Sequence, residues 1–296
     1  MEQFLDVGGP DDLRLCYEVF GETADPTVVL VMGLNLDMLW WRDDFCAELV
    51  RRGMRVVRFD NRDVGRSTRL DGPDPSALRL LTRTPRVTYT LEDMADDTAA
   101  LITHVAPYGA HLVGVSLGAM IAQATAVRHQ HLVHSLTSVM GRPGDGRTGK
   151  VAKRMMTQWF RPAPADQVEG MVRTFHRIGS RGRTDADDQD VREIMPRSAI
   201  RGDDSGGGRQ LAAILRETDR TPGLRQFGRP ALVIHGDRDR VILPSGGRAT
   251  AQALPDAELL VLPGMGHDLA RRLWPAVLDG IERTVARGEA ARLTNT

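Results

Sequence analysis

At 296 residues the chain is long enough to bury a large core, either as one large domain or as a core carrying an insertion. Its composition is ordinary for a globular protein, 41% hydrophobic and 26% charged, and Lys plus Arg equals Asp plus Glu at 39 each. Nothing in that balance asks for nucleic acid or an anionic membrane surface as a partner. Cys16 and Cys46 have no metal-ligand spacing and build no disulfide framework; a single bridge stays open, with reduced thiols the plainer reading. The opening MEQFLDVGGPDD has neither a basic n-region nor an apolar h-region, and no stretch reaches the ~20 apolar residues of a membrane span, so a cytoplasmic protein is expected.

In chain order, LRLCYEVFG (13–21) reads as an antiparallel strand. TVVLVM (27–32), RVVRFD (55–60), AHLVGV (110–115), SLTSVM (135–140), ALVIHG (231–236) and ELLVLP (258–263) are short runs rich in Val, Ile and Leu, the pattern of strands buried on both faces. Helical patterns lie between them. LEDMADDTAALITHV (91–105) opens at Thr90 with a T-x-x-D capping signal to Asp93. GAMIAQATAVRHQ (118–130), PSGGRATAQAL (244–254) and LWPAVLDGIERTVAR (273–287) follow. This alternation predicts an α/β fold, a mostly parallel sheet flanked by helices.

The alternation stops between about Gly144 and Gly228, where every apolar stripe is helical: Val151, Met155 and Trp159; Val168, Met171, Val172 and Phe175; Val191, Ile194 and Met195; Leu211, Ile214 and Leu215. Residues 1–143 and 229–296 are therefore expected to form the core, and 144–228 a helical cap inserted in it as a lid.

HLVGVSLGAM (111–120) places a serine at the junction of a buried strand and a helix. Gly114-Val115-Ser116-Leu117-Gly118 fits G-x-S-x-G, in which a sharp turn exposes a nucleophilic hydroxyl at the N-terminus of the next helix. The competing reading is a serine N-cap after a glycine turn. A nucleophilic serine needs a base, and the base needs an orienting carboxylate. Both follow at strand ends: Asp237 and Asp239 after ALVIHG, then His267 in the glycine-rich loop after LLVLP. The order Ser, Asp, His at three strand ends favours the nucleophile.

With these residues the chain resembles the α/β-hydrolases along nearly its whole length. In that family the acid usually closes a G-x-x-D stretch, here Gly236-Asp237-Arg238-Asp239, which selects Asp239. The histidine sits in a G-H-D-L-like loop, here Gly266-His267-Asp268-Leu269, and FDNRDVGRST (59–68) resembles the D-x-R-x-x-G-x-S loop. VLVMGLNLDMLWW (29–41), FDNRDVGRST and GMGHDLARRLWP (264–275) are most similar to the aclacinomycin methylesterase group. The resemblance implies Ser116 as nucleophile, His267 as base and Asp239 as its orienting acid. The oxyanion would be held by the N–H groups of Leu117 and of Leu34, in Met32-Gly33-Leu34 where many members carry His-Gly-x.

Met38, Trp40, Met155, Met156 and Trp159 are candidates for an apolar substrate pocket, plain core being the other reading. His235 reads as a hydrogen-bonded neighbour, and Arg173, Arg177, Arg181 and Arg183 as a solvated face. No metal is expected from His129, His131 and His134, and no cofactor: the glycines at 206–208 lack a following Gly-Lys-Ser/Thr. The expected function is a serine hydrolase of small-molecule carboxylic esters, with a methyl ester of an apolar or polyketide-like compound suggested by the subgroup. Acyl transfer to peroxide, an alcohol or an internal hydroxyl, and a ligand receptor on the same scaffold, are the alternatives. Oligomeric state stays open.

Overall fold

The computed structural model describes residues 1–8, 12–72, 75–76, 79, 82, 84–150, 166–202 and 206–294. Among these, eight strands form one sheet in the order β1-β2-β4-β3-β5-β6-β7-β8. β1 (Gln3–Gly8) and β2 (Leu13–Phe20) are antiparallel to each other, and β2 is antiparallel to β4 (Arg55–Phe59). β3 (Thr27–Val31), β5 (Ala110–Val115), β6 (Val133–Val139), β7 (Ala231–Gly236) and β8 (Ala257–Leu262) continue the sheet in parallel. The α/β class expected from the alternation is the class observed.

Every residue of β3, β5, β6 and β7 is buried, as interior strands of a covered parallel sheet must be. Successive side chains point to opposite faces and seed two cores. Val29, Val31, Leu112 and Val233 pack with Leu101 of α2 (Leu91–Val105) and Ile121 of α3 (Leu117–Arg128). Val28, Leu30, Val113 and Ile234 pack with Phe45 and Leu49 of α1 (Asp43–Arg51) and with Val277 and Ile281 of the C-terminal helix Trp274–Leu293. β8 departs from the two-sided burial its apolar run suggests: it is the edge strand, and Leu259 is exposed. β1, whose residues are mostly exposed, carries no apolar run and no sequence signal. Thr90 caps α2 in a full capping box with Asp93.

Between β6 and β7 the described residues hold helices and turns: α4 (Gln167–Ile178), α5 (Asp185–Ala199), α6 (Gly207–Leu215) and the single turn α7 (Thr221–Leu224). Polar anchors join them to the strand-end loops. Arg209 binds both carboxylate oxygens of Asp63 at 2.8 Å, and Arg201 forms ion pairs with Asp37, Asp60 and Glu2. Cys16 and Cys46 are free and buried, and burial pushes both thiols up to about 12. Among the described residues no helix is long and apolar enough to cross a membrane.

Candidate active site

The strand order reverses at β3, which lies between β4 and β5, so a crevice opens at the carboxyl ends of β3 and β5. Ser116 stands there, between the last residue of β5 and the first of α3. Its backbone has φ 55° and ψ −117°, a conformation few side-chain-bearing residues adopt and one that costs about 1–3 kcal/mol. The surrounding glycines make that turn possible. A Cβ at Gly114 would lie 2.1 Å from the Gly118 carbonyl oxygen, and one at Gly118 would lie 2.1 Å from the Val31 carbonyl oxygen. Both backbone approaches exclude any side chain, so strand and helix meet at a distance only glycine permits. Ser116 caps nothing with its side chain, which removes the N-cap reading of this serine.

His267 Nε2 lies 2.8 Å from Ser116 Oγ, and His267 Nδ1 lies 2.7 Å from Asp239 Oδ2. Three residues 28 to 151 positions apart are thus brought into one hydrogen-bonded line. Asp239 is 2% exposed, and its second oxygen accepts the N–H groups of Val241 at 2.8 Å and Ile242 at 3.0 Å. Burial alone would raise its pKa, but the imidazoles of His267 and His235 hold the carboxyl well below the usual range, so it is ionised at neutral pH. Asp237 is differently employed: its Oδ1 accepts the Gly264 N–H at 2.7 Å and braces the histidine loop. His235 is buried, its Nε2–H donates to the Ile242 carbonyl at 2.9 Å, and Nε2 lies 3.4 Å from Asp239 Oδ2.

The loop after β3 passes beside the serine: a Cβ at Gly33 would be 3.4 Å from Ser116 Cβ. Its flanks are pinned. Asn61 Nδ2 donates to the Met32 carbonyl at 2.9 Å, and the Asn35 N–H donates to Gln210 Oε1 at 2.8 Å. Among the described residues no acceptor meets the Leu34 N–H between them. Leu117 opens α3, so its N–H has no intrahelical acceptor either. Asn61 and Gln210 were not legible as site residues. Gln210 comes from α6, and no local pattern ties it to a loop 175 residues earlier.

Met38 is fully buried, with its N–H donating to Asp60 at 2.8 Å. Trp40 stacks on Phe175 of α4, ring centres 5.5 Å apart. With Trp41, Phe175, Leu269 and Trp274 it lines a cavity of about 90 Å³ whose described lining omits Ser116 and His267. Met155, Met156 and Trp159 lie outside the described residues. One expectation is corrected: Arg183 is not part of a solvated face. Its side chain is 6% exposed and pairs with Asp268 at 2.5 Å and Asp188 at 3.2 Å, because a guanidinium held by two carboxylates tolerates burial. His129 bonds to Asp96, and His134 packs against His111. Among the described residues no group of three or more metal-ligating side chains is placed to hold a metal ion.

Residues 26–270 match the family described as alpha/beta hydrolase fold. The chain is 28% identical over 282 residues to the rhodomycin D methylesterase of Streptomyces peucetius, covering 88% of this chain and 90% of that protein. It is 24% identical over 280 residues to a bifunctional esterase/perhydrolase of Acinetobacter calcoaceticus, covering 88% and 91%. A hydrolase from Pseudomonas aeruginosa superposes with a TM-score of 0.71 at 22% identity, covering 96% of this chain and 98% of that one. Relatives named methylesterase and esterase agree with the enzyme class expected, a carboxylic-ester hydrolase, and with the resemblance to the methylesterase group. With the sheet order, the strained serine between its two glycines and a family match spanning 245 of its 296 residues, the chain belongs to the α/β-hydrolase fold family.

Proposed function

We propose that the protein hydrolyses small-molecule carboxylic esters through Ser116, His267 and Asp239. The observation that carries this reading is the continuous line from Asp239 Oδ2 through the imidazole to Ser116 Oγ, at 2.7 and 2.8 Å. His267 Nε2 takes the hydroxyl proton as Ser116 Oγ attacks the ester carbonyl. The N–H groups of Leu34 and Leu117 hold the oxyanion. The tetrahedral species collapses as the imidazolium passes its proton to the leaving alkoxide. Water then attacks the acyl carbonyl as His267 takes its proton, and the imidazolium returns that proton to Ser116 Oγ as the bond to the acyl group breaks and the acid leaves. Asp239 keeps Nδ1 protonated and Nε2 free to accept. No cofactor or metal takes part.

Residues 144–228 would act as a lid over the serine, with Met155, Met156 and Trp159 the candidates, beside Met38 and Trp40, for lining an apolar acyl pocket. A neutral, largely apolar ester suits such a lining, and a methyl ester on a polycyclic polyketide is the substrate we favour. The methylesterase relative supports that choice. A fluorophosphonate should label Ser116 alone, and Ser116→Ala should lose several orders of magnitude in turnover of a panel of acyl esters. A label mapped by mass spectrometry to another serine sinks the mechanism.

The esterase/perhydrolase relative favours a second reading, in which peroxide replaces water as acyl acceptor. Peracid formation from an acyl donor and hydrogen peroxide, abolished in Ser116→Ala, would support it. Ester cleavage with no peracid would exclude it.

A further inference from the structure

The bonds that locate His267 come in large part from the helices between β6 and β7. α4 ends at Ile178, whose carbonyl accepts the His267 N–H at 2.7 Å. Gly179 follows, and its backbone touches the histidine loop directly: a Cβ on Gly266 would lie 2.2 Å from the Gly179 carbonyl carbon and oxygen. Ser180 comes next. Its Oγ accepts the Gly266 N–H at 3.0 Å, its hydroxyl donates to Asp268 Oδ1, and its N–H donates to the same oxygen at 2.8 Å. The Arg181 N–H donates to the Gly264 carbonyl at 2.8 Å. Arg183 holds the other Asp268 oxygen at 2.5 Å and also binds the Asp187 carbonyl and the Asp188 carboxylate. Gly264, Gly266, His267 and Asp268 are each tied to residues 178–183, and both Ser180 and Asp268 are 6% exposed.

Two glycines in four residues, Pro263-Gly264-Met265-Gly266, leave the loop with wide backbone freedom of its own. Its position must be imposed from outside. Asp237 and Asp239 hold it from the β7 side, the first through the Gly264 N–H and the second through the imidazole. On the other side stands the turn after α4.

We infer that Ser180 is a positioning residue for His267, so that seating of the α4 turn on the core and alignment of the base against Ser116 are one event. This rests on the serine-hydrolase reading above. Removing the Ser180 hydroxyl leaves the Gly266 N–H without its acceptor and deletes one of the two Ser180 donors to Asp268 Oδ1, while leaving Asp239, Ser116 and both oxyanion donors in place. The imidazole then samples positions in which Nε2 misses Ser116 Oγ. A displacement near 1 Å is enough to slow proton transfer by about 10²-fold.

The test is the second-order rate constant for fluorophosphonate labelling of Ser116, measured per folded molecule, beside kcat and KM for the best ester of the panel. Ser180→Ala should label at least about tenfold more slowly and lose a similar factor in kcat with KM within about twofold, because proton transfer and not binding is impaired. A variant that melts earlier but labels at the wild-type rate has lost only structural support, and the inference is overturned. Should Ser180→Ala fail to fold, Arg183→Gln carries the test, since it loosens Asp268 while keeping every Ser180 bond. Slowing of about threefold or more supports the positioning role, and an unchanged rate overturns it. A wild-type protein that takes no label on Ser116 would instead mean that the serine-hydrolase reading has failed.

Discussion

At the scale of single residues, two positions are decided by contact distance alone. Gly114 and Gly118 meet backbone atoms, which cannot swing aside as a flexible side chain can. Gly118→Ala should therefore cost about 3 kcal/mol in urea unfolding, the upper end of overpacking effects, and should displace Ser116 with it. Retention of wild-type stability would show that the strand–helix contact yields. The two aspartates near His267 differ in what they hold. Asp239→Asn replaces an acceptor for Nδ1–H with an amide that stabilises the wrong tautomer, so kcat should fall by about 10³–10⁴-fold. Asp237→Asn keeps an amide oxygen for the Gly264 N–H and should stay within a few-fold of wild type. The reverse result, with Asp237→Asn inactive and Asp239→Asn active, reassigns the acid.

At the scale of elements, α2 shows a local signal acting locally. Thr90 Oγ1 accepts the Asp93 N–H at 3.2 Å, and the Asp93 carboxylate accepts the Thr90 N–H at 2.7 Å. Thr90→Ala should lower stability by about 1 kcal/mol and leave kcat/KM unchanged, because the cap is bonded within α2 and not to Ser116, Asp239 or His267. The helices between β6 and β7 behave otherwise. Their stripes predicted α4, α5 and α6, yet their roles come from the side chains at their ends and turns: Ser180, Arg183, Arg201 and Gln210 reach loops of the core. Trp159→Ala tests the proposed lid. KM for bulky aromatic esters should rise more than KM for p-nitrophenyl acetate, because only the larger acyl group would reach it. Equal changes for the two esters would remove the aromatic lining while leaving Ser116 and His267 untouched.

For the whole molecule, the end of the sheet opposite the serine sets an acid limit. His111 and His134 open β5 and β6, are buried, and stack edge to face with ring centres 5.6 Å apart. His111 bonds Ser135 at 2.8 Å and Glu289 of the C-terminal helix at 2.9 Å. Burial, aided by Arg292 and His111, pushes His134 down to about 4, and burial lowers His111 too. Between the ordinary histidine value of ~6.5 and about 4, the unfolded chain binds protons that the folded chain refuses. The histidine contribution is thus fully present above ~6.5 and falls as the pH drops toward 4, by about 3 kcal/mol from His134. Urea unfolding at pH 7 and pH 4.5 should show that loss, and His134→Gln should flatten it. An identical pH slope in the variant rules out His134 as its source.

The sequence by itself determined the apolar strand runs, the Thr90 cap and the three strand ends at which Ser116, Asp239 and His267 stand. Each of these depends on neighbours within a few residues: apolar periodicity, a capping pair, or a glycine where the chain must turn. The family resemblance then chose Asp239 over Asp237, which spacing alone left open. Only the tertiary structure decided what lies across from each group. Its reversal of strand order at β3 opened the crevice, edge position exposed β8, and long-range pairing buried Arg183 against Asp268. Ser180 and Gln210 became neighbours of the site in the same way, through hydrogen bonds between residues 86 and 175 positions apart. Such contacts follow from how helices seat on loops, and a polar side chain at the end of a helix carries no periodic mark of the partner it will meet.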